Sequence, residues 1–573
     1  MPVHNKDIIR VLETVADLLD IQKENQFRTR AYRQAAQTIN SLPDSVTEMI
    51  DKGEDLTRLS GIGEDLAGKI KTIAQTGSLP LLEELQEQIP PSLQELLRIP
   101  GLGPRGVKVI YDALGVTDLQ GLKKAAEQDL LQDLEGFGEK TQKKILEEIK
   151  KNDSHEDRML FRDAQAISQT LLDYLKKLDG VKKVEAAGSL RRKKETVGDL
   201  DILLSCKRGT DAMGHLLDYE DVEKVVVQGK TKTSVVLRSG LQVDLRVVAH
   251  ASYGSALLYF TGSKAHGIKL RKRGMERELK INEYGVYKNK KKVAGKTEHQ
   301  IYKKLGLPFI PPELREDRGE IEAAEKDHLP KLVQRRDIKG DLHVHTKKTD
   351  GHQSIEEMAK EAEKLGYEYL AITEHSKRVT VAGGLDAEEL EKHIRDIEKV
   401  NQGMDNIEIL TGAEVDILED GSLDLPDDIL SRLDVVIGSV HYKFNLSRKK
   451  QTRRIVTAME NPYFMILGHP TGRKINQREP MDLDLDDIFS AAKDNGCFLE
   501  LNAFYDRLDL TDIACIQAAK KKVGVVINTD AHRTPHMDYM DFGVAQARRG
   551  WLEAKDVLNT RSLKQLRKCL KGR

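Results

Sequence analysis

The stretch GSLRRKKETVGDLDILL (188–204) decides how the first half of this chain is read. Asp199 and Asp201 stand two apart in DLDILL, so in a strand both carboxylates project from one face. Asp244, in LQVDLRVV, can lie on an adjacent strand and complete a cage of three carboxylates. Such a cage suits Mg²⁺ or Mn²⁺, which take carboxylate oxygens together with substrate phosphates, and paired ions clamp an in-line phosphoryl displacement. Upstream, Gly188 and Ser189 open a turn in which small residues let phosphates approach. Arg191 and Arg192 follow, with bidentate donors for phosphate. An Asp-x-Asp alone reads equally well as the polar face of a half-buried strand. The glycine–serine turn before it and the third aspartate after it turn the reading toward nucleotidyl transfer. Around this core VKKVEAAGS, KVVVQG, TSVVLRS and LQVDLRVVA predict further strands of a mixed sheet, preceded by a helix-like segment near 160–178.

A second centre is written into the C-terminal half. Nine potential metal ligands each follow an apolar, strand-like run: His343 and His345 in DLHVHT, Asp350 in TDG, His375 in LAITEH, Glu414 in ILTGAE, His441 in VVIGSVH, His469 in MILGH, and Asp530 with His532 in VVINTDAH. Imidazole and carboxylate together suit Zn²⁺, Mn²⁺ or Fe²⁺. The set exceeds the four ligands of a closed structural zinc site and predicts a cluster of two or three ions that hydrolyses phosphate esters. Between these runs lie helical segments such as SIEEMAKEAEKLG and DAEELEKHIRDIEKVN. Repeated strand–helix alternation, with ligands at the carboxyl ends of several strands, is the arrangement of a (β/α) barrel. His352, His393 and His536 read as ordinary hydrogen-bonded histidines. Lys377, Arg378 and Arg473 stand close after ligand motifs, as phosphate-binding or plain surface charge.

The N-terminal region, residues 1–150, reads as short helices punctuated by prolines. LSGIGEDLAGKI (59–70), IPGLGPRGVKVI and LEGFGEKTQKKI repeat an apolar residue before Gly-apolar-Gly, then a helix. This helix-hairpin-helix pattern places Gly61 and Gly63, Gly101 and Gly103, and Gly136 and Gly138 where a turn approaches a backbone. The next helix then offers free N–H groups to phosphate. Such contacts bind nucleic acid without reading sequence. At 573 residues the chain is too long for one core. Its net charge of −1 conceals an uneven balance, since residues 261–310 hold 14 basic against 4 acidic side chains. Four cysteines without CxxC spacing exclude a disulfide framework or thiolate zinc site and suit a reducing cytosol. No signal-like or membrane-spanning run is present in the sequence. From Arg315 to Lys339 the residues lack a core pattern and read as a charged linker with some helix.

GSLRR…GDLD, VDLR and YFTGS, in this order, resemble a family X DNA polymerase of the beta type. With the HVH, TEH, GAE, SVH, GHP and DAH motifs, the whole chain resembles the bacterial members that carry a polymerase and histidinol phosphatase (PHP) domain. The resemblance implies a multidomain α+β and α/β protein. Its parts are a helix-hairpin-helix DNA-binding domain (1–85), fingers (86–155), palm (156–250), thumb (251–318), linker (319–339) and a distorted TIM-like PHP barrel (340–573). It implies that Asp199, Asp201 and Asp244 hold the catalytic metals. Gly188, Ser189 and Arg192 then bind the triphosphate, Tyr259, Phe260 and Gly262 pack the deoxyribose, and Arg271 reaches the template minor groove. Lys264 stands where the beta-type enzyme has an acidic residue, and Gly267 where it has an asparagine, so Lys264 itself is a candidate nucleotide contact. Lys69 matches a Schiff-base lysine of an abasic-site lyase, supported by Tyr32 and Arg28. Asp65 replaces a supporting lysine and opposes the depressed lysine pKa that such chemistry needs. The partners implied are gapped or primer–template DNA and dNTPs, in a monomeric, cytoplasmic, nucleoid-associated repair polymerase with Mn²⁺ or Zn²⁺ in its PHP site. That site would act as a 3′–5′ exonuclease, with abasic-site endonuclease as a second activity. The rival is a PHP phosphatase or nuclease whose N-terminal half only binds DNA.

Overall fold

The computed structural model describes residues 3–571 except 4, 23–24, 43–44, 89–92, 97–98, 100–101, 135, 139–140, 144 and 147–157. Gly101 and the expected fingers–palm boundary fall outside the described residues. The chain forms two compact units, Met1–Asp157 and Arg158–Arg573.

The first unit is helical. Helix α1 (Asn5–Ile21) buries Ile8, Leu12, Val15 and Leu19, which recur at three- and four-residue spacing along one stripe. That stripe packs in one core with Tyr32 and Ile39 of α2 (Gln26–Ser41) and Ile70 and Ile73 of α3 (Glu64–Thr76). A later helix, α4 (Pro104–Leu114), starts with proline in its first turn, where the missing N–H costs nothing.

The second unit begins with α5 (Phe161–Lys176) and a five-stranded sheet. Its strands are β1 (Val181–Ala186), β2 (Asp199–Cys206), β3 (Val222–Gln228), β4 (Lys232–Leu237) and β5 (Gln242–Val247), ordered β1-β2-β5-β4-β3. The β2–β5 pair is parallel and the others antiparallel, so the mixed sheet expected from sequence is present. Leu200, Ile202, Leu204, Val243 and Leu245 share a core with Phe161, Ala164, Leu171 and Leu175 of α5. Then come α6 (Tyr253–Thr261), α7 (Lys264–Glu276) and a small antiparallel sheet of Lys280–Asn282, Gly285–Lys288 and Lys291–Ala294.

The segment read as a charged linker is instead packed. Ile321, Ala324 and Leu332 join the core of Leu258, Leu270 and Tyr302, while Val333 and Ile338 join the barrel core. Its charges hid this: Glu322, Glu325, Lys326, Asp327 and Lys331 are exposed, but Glu320 lies fully buried 2.5 Å from His266 Nδ1 and accepts the Asp317 and Arg318 N–H groups. A charge in contact with its partner is not a solvated charge, and the apolar residues between complete two cores at once.

The barrel has seven parallel strands in sequential order: β6 (Gly340–Val344), β7 (Tyr369–His375), β8 (Glu408–Asp416), β9 (Val435–Ser439), β10 (Ile466–Leu467), β11 (Phe498–Asn502) and β12 (Val525–Asn528). A parallel bridge between Val344 and Ala531 brings first strand and last together, so the sheet nearly closes. Its strands are buried along almost their whole length, as parallel strands covered on both faces must be. Capping boxes start two of the outer helices, Ser354 with Glu357 and Asp386 with Glu389. Among the described residues no helix is long and apolar enough to cross a membrane.

Candidate active sites

All nine ligand candidates of the barrel meet at the carboxyl ends of its strands. His375 ends β7, Glu414 lies near the end of β8, and His441, His469 and Asp530 each follow their strands by two residues. Glu414 is the hub. One oxygen lies 2.9 Å from His375 Nδ1, 3.4 Å from His343 Nε2 and 3.6 Å from His345 Nε2. The other lies 2.9 Å from His469 Nε2 and 3.3 Å from His441 Nε2. Donor atoms gather in three sets, each within 4.8 Å: His345, Asp350, His375 and His532; His343, His345 and Asp530; and His375, Glu414 and His441.

The set fits divalent cations on two grounds. Imidazole and carboxylate donors are the right chemistry. Several of the donors are also buried without a hydrogen-bond partner: His343 Nε2, both His345 nitrogens, His375 Nδ1, His469 Nδ1 and Glu414 Oε2. Six histidines and three carboxylates packed together would otherwise be costly to bury. Burial works to raise Glu414, but His441, His375 and His343 outweigh it and hold the carboxyl well below its ordinary range. Burial works to lower His375, yet Glu414 and Asp350 carry it up to about 10. The pocket therefore balances charge strongly, with its carboxylates ionised.

Supporting residues here were not singled out from sequence. Glu500 accepts from His343 Nδ1 at 2.6 Å and from the His469 N–H at 2.6 Å. Asp416 accepts from the His441 N–H at 3.0 Å and lies 3.2 Å from its Nδ1. Glu374 holds Thr346 and Thr349 beneath the loop that carries Asp350. Such partners fix ring orientation and raise ligand basicity. The signal available was an acid inside an apolar strand, as in FLELN and GAEVD. Arg507 is the other addition: its Nη1 is buried without a partner, and its Nε lies 3.8 Å from Asp530 Oδ2.

Two arginines weighed as phosphate contacts are ion-paired instead. Arg473 is clamped on Glu195 at 2.7 and 3.1 Å and also donates to Leu508 O. Arg378 pairs with Glu419 at 2.8 Å and Asp416 at 3.2 Å. Lys377 is exposed. His536 Nδ1 accepts the His532 N–H and His352 meets Arg533, as ordinary histidines do. His393 does not fit that expectation: its Nε2 has no hydrogen bond and stands 3.5 Å from Glu374.

In the palm, parallel pairing sets Asp201 directly opposite Asp244, with Asp199 two residues before Asp201 on its strand. Burial, then Asp199 and Asp244, push Asp201 up to about 6. Lys232 Nζ lies 2.6 Å from Asp244 Oδ2 and supplies cationic charge to the trio. A buried carboxyl pushed up by two carboxylates beside it belongs to a donor set that a divalent cation relieves. Gly188 takes φ +59°, and a Cβ there would fall 2.5 Å from Asp201 Oδ2, so the turn needs glycine. The Ser189 hydroxyl is buried without a partner. Arg192 donates to Glu316 at 2.9 Å and to Thr261 O at 2.8 Å. Tyr259 is exposed against Phe260 at a ring distance of 5.1 Å, with Arg271 5.8 Å from its ring and Arg246 4.4 Å from the Phe260 ring. Gly262 lies so close to His266 that a Cβ would stand 2.8 Å from its ring. Lys264 is exposed at the start of α7, behind the Ser263 cap, and Gly267 sits one turn on.

In the helical unit Gly63 and Gly103 are the N-caps of α3 and α4, neither with a side-chain cap. Their first-turn N–H groups are left for an anion. Gly61 and Gly136 adopt positive φ of 79° and 84°, while the Gly138 carbonyl receives the Thr141 and Gln142 N–H groups. Lys69 is bound to Asp65 at 2.7 Å and lies 5.3 Å from the Tyr32 ring centre. Burial lowers Lys69, but Asp65 and Tyr32 outweigh it and raise the amine, keeping it protonated. Arg28 is exposed.

A carboxylate-bearing transferase palm and a barrel lined with metal donors, in a chain that also carries phosphate-facing glycine hairpins, define a phosphoryl-transfer protein with two centres. Comparison with known proteins agrees. Family models match for a helix-hairpin-helix domain (3–79), a SAM-like helix-hairpin-helix tandem (93–151), the DNA polymerase beta palm (158–257), the DNA polymerase beta thumb (256–316) and the PHP domain (341–504). The chain is 40% identical over 573 residues to the DNA polymerase/3′-5′ exonuclease PolX of Bacillus subtilis (strain 168), covering 99% of this chain and 100% of the relative. A probable phosphatase of Thermoanaerobacter sp. (strain X514) is 33% identical over 204 residues, 34% of this chain and 78% of that protein. The chain belongs to the bacterial family X DNA polymerases that carry a C-terminal PHP domain.

Proposed function

We propose that this protein is a DNA-directed DNA polymerase with a 3′–5′ exonuclease in its PHP barrel, filling short gaps during base excision repair. The observation that carries the reading is the coexistence of a barrel donor cluster and a palm carboxylate trio in a chain that matches a named polymerase/exonuclease along that relative's whole length. Asp199, Asp201 and Asp244 would hold Mg²⁺ or Mn²⁺, and the nine barrel residues two or three Mn²⁺ or Zn²⁺ ions. Divalent ions at these sites supply Lewis-acid activation and stabilise charge that develops on a phosphoryl group.

The chain's own residues do the rest. Ser189, with its unpartnered hydroxyl, and Arg192 receive the triphosphate. Tyr259, Phe260 and Gly262 pack the deoxyribose, with Lys264 and Arg271 at the nucleotide and template sides. In the barrel Glu500 and Asp416 hold the rings of His343 and His441 in ligating orientation. Arg507, whose Nη1 is unpartnered and whose Nε stands 3.8 Å from Asp530, would add positive charge beside that centre. The glycine hairpins hold the DNA backbone without sequence preference. Abasic-site endonuclease activity would use the same barrel centre. Lyase activity at Lys69 is disfavoured by the protonation that Asp65 enforces.

The relatives named probable phosphatases support one other reading, a phosphomonoesterase in the barrel. One labelled primer on gapped DNA, with and without dNTPs and Mn²⁺, separates them. Elongation with dNTPs and shortening without them is the expected result. Efficient hydrolysis of a small phosphomonoester with single-stranded and nicked DNA left intact would replace the exonuclease by a phosphatase.

A further inference from the structure

The palm turn that carries Ser189 and Arg192 is held from the barrel. Glu316 Oε1 accepts from Arg192 Nε at 2.9 Å and from Arg549 Nη1 at 3.0 Å. Arg549 ends the barrel helix α8 (Met540–Arg549). It also donates Nη1 to the Arg192 carbonyl at 2.8 Å and Nη2 to Asp512 Oδ2 at 2.6 Å. Arg318 Nη1 lies 2.8 Å from the same Asp512 oxygen. The result is an alternating chain, Arg192–Glu316–Arg549–Asp512–Arg318, running from the polymerase centre into the barrel. Its members are largely buried, and the Arg549 side chain is only 2% exposed.

Neither catalytic centre uses Arg549, yet it touches both the side chain that holds Arg192 and the Arg192 backbone. Arg192 commits Nε to Glu316 and Nη1 to Thr261 O, so to present its full fork of donors to a triphosphate it must give up Glu316. Were Arg192 the only guanidinium on Glu316, its departure would leave a buried carboxylate facing only the more distant charge of Lys194, which is costly. With Arg549 in place, Glu316 stays paired when Arg192 leaves.

We propose that Arg549 of the barrel is a positioning residue for the polymerase centre: it keeps Glu316 paired, so that Arg192 can exchange Glu316 for the triphosphate of an incoming nucleotide. This rests on the assignment of Arg192 as a triphosphate ligand. The barrel then serves synthesis as well as hydrolysis. In an Arg549→Gln protein, Arg192 is the remaining guanidinium on Glu316, and the nucleotide must compete with that carboxylate. The fold has reason to survive, because Asp512 keeps Arg318 and Glu316 keeps Arg192.

The test is a mutant cycle on the full chain. Complementary dNTP is titrated onto protein bound to one-nucleotide-gap DNA whose primer is dideoxy-terminated and protected by phosphorothioate linkages. Primer shortening on unprotected DNA reports the integrity of the barrel. Arg549→Gln should raise the dNTP Kd about tenfold, as coupled buried partners do, with shortening retained. Adding Glu316→Gln should restore the Kd, and Arg549→Lys should fall between. An unchanged Kd in Arg549→Gln overturns the proposal. So does a raised Kd that Glu316→Gln fails to restore, which would make Arg549 merely structural. If Arg549→Gln also loses shortening, Arg549→Lys with and without Glu316→Gln supplies the same comparison. Arg192→Gln distinguishes the underlying assignment: a Kd unchanged there removes the triphosphate role itself, whereas a raised Kd there with Arg549→Gln silent removes only the part given to Arg549.

Discussion

Glu298 shows how a single carboxylate is made to hold two parts of the second unit together. Burial raises its pKa, but Arg191 at 2.7 Å and Arg315 at 2.5 Å outweigh this and bring it to about 2, against an ordinary 4.5. A depressed acid stabilises the fold above the unfolded-state value and loses that contribution as pH falls through the folded value. The stability gap between wild type and Glu298→Gln should therefore be full at pH 6, at most about 3 kcal/mol, and shrink from pH 4.5 toward 2. Denaturant titrations of both proteins at a series of pH values check this; a gap that does not change with pH would contradict it. Residues of this kind were the least legible in the sequence. The palm aspartates and the nine barrel candidates, which the structure brings together, stood out because their signal is local: Asp199 with Asp201, His343 with His345 and Asp530 with His532 are two apart, and the others each follow or lie in an apolar run. Glu298, Glu500, Asp416 and Arg549 did not, because an acid or arginine is identical in sequence whether it is solvated or buried against a partner tens or hundreds of positions away. Arg473 reads equally as a phosphate contact or as surface charge for the same reason, and the structure pairs it with Glu195.

Among the elements, the strands that carry ligands and the helices after glycine hairpins were legible, because period-two and helical patterns survive without knowledge of neighbours. The segment 319–339 was not. Its apolar residues are too few for a core of their own and become intelligible only when two cores receive them. The hairpins make a testable claim about how elements bind DNA. If backbone N–H groups and Lys or Arg contact some six phosphates, affinity should fall about 10³-fold between roughly 50 and 200 mM salt. A flat dependence, seen by fluorescence anisotropy, would refute it. Gly61 holds φ +79°, and a Cβ there would stand 2.5 Å from Gln34 Cγ. Gly61→Val should cost at least about 1 kcal/mol in the helical unit and weaken binding to mixed-sequence duplexes equally. An effect confined to particular sequences would mean the hairpin reads bases.

At the scale of the molecule, palm, thumb and barrel share one compact unit, Arg158–Arg573. Phe161 meets Phe542 edge to face at 5.8 Å, Arg162 lies 3.9 Å from the Tyr505 ring centre, and Arg473 clamps Glu195. These contacts join a transferase sheet to a hydrolase barrel while leaving each centre its own ligands. The central claim is that two independent metal centres, one synthetic and one hydrolytic, act on the same primer end. Chelation followed by Mn²⁺ should switch both activities off and on, but it does not tell the centres apart. The direct measurement is a time course of one labelled primer on gapped DNA, with and without dNTPs, for two double variants. Asp199→Ala with Asp201→Ala should abolish elongation and keep Mn²⁺-dependent shortening. His343→Ala with His345→Ala should abolish shortening and keep elongation. Elongation by the palm variant, or shortening by the barrel variant, would contradict the account.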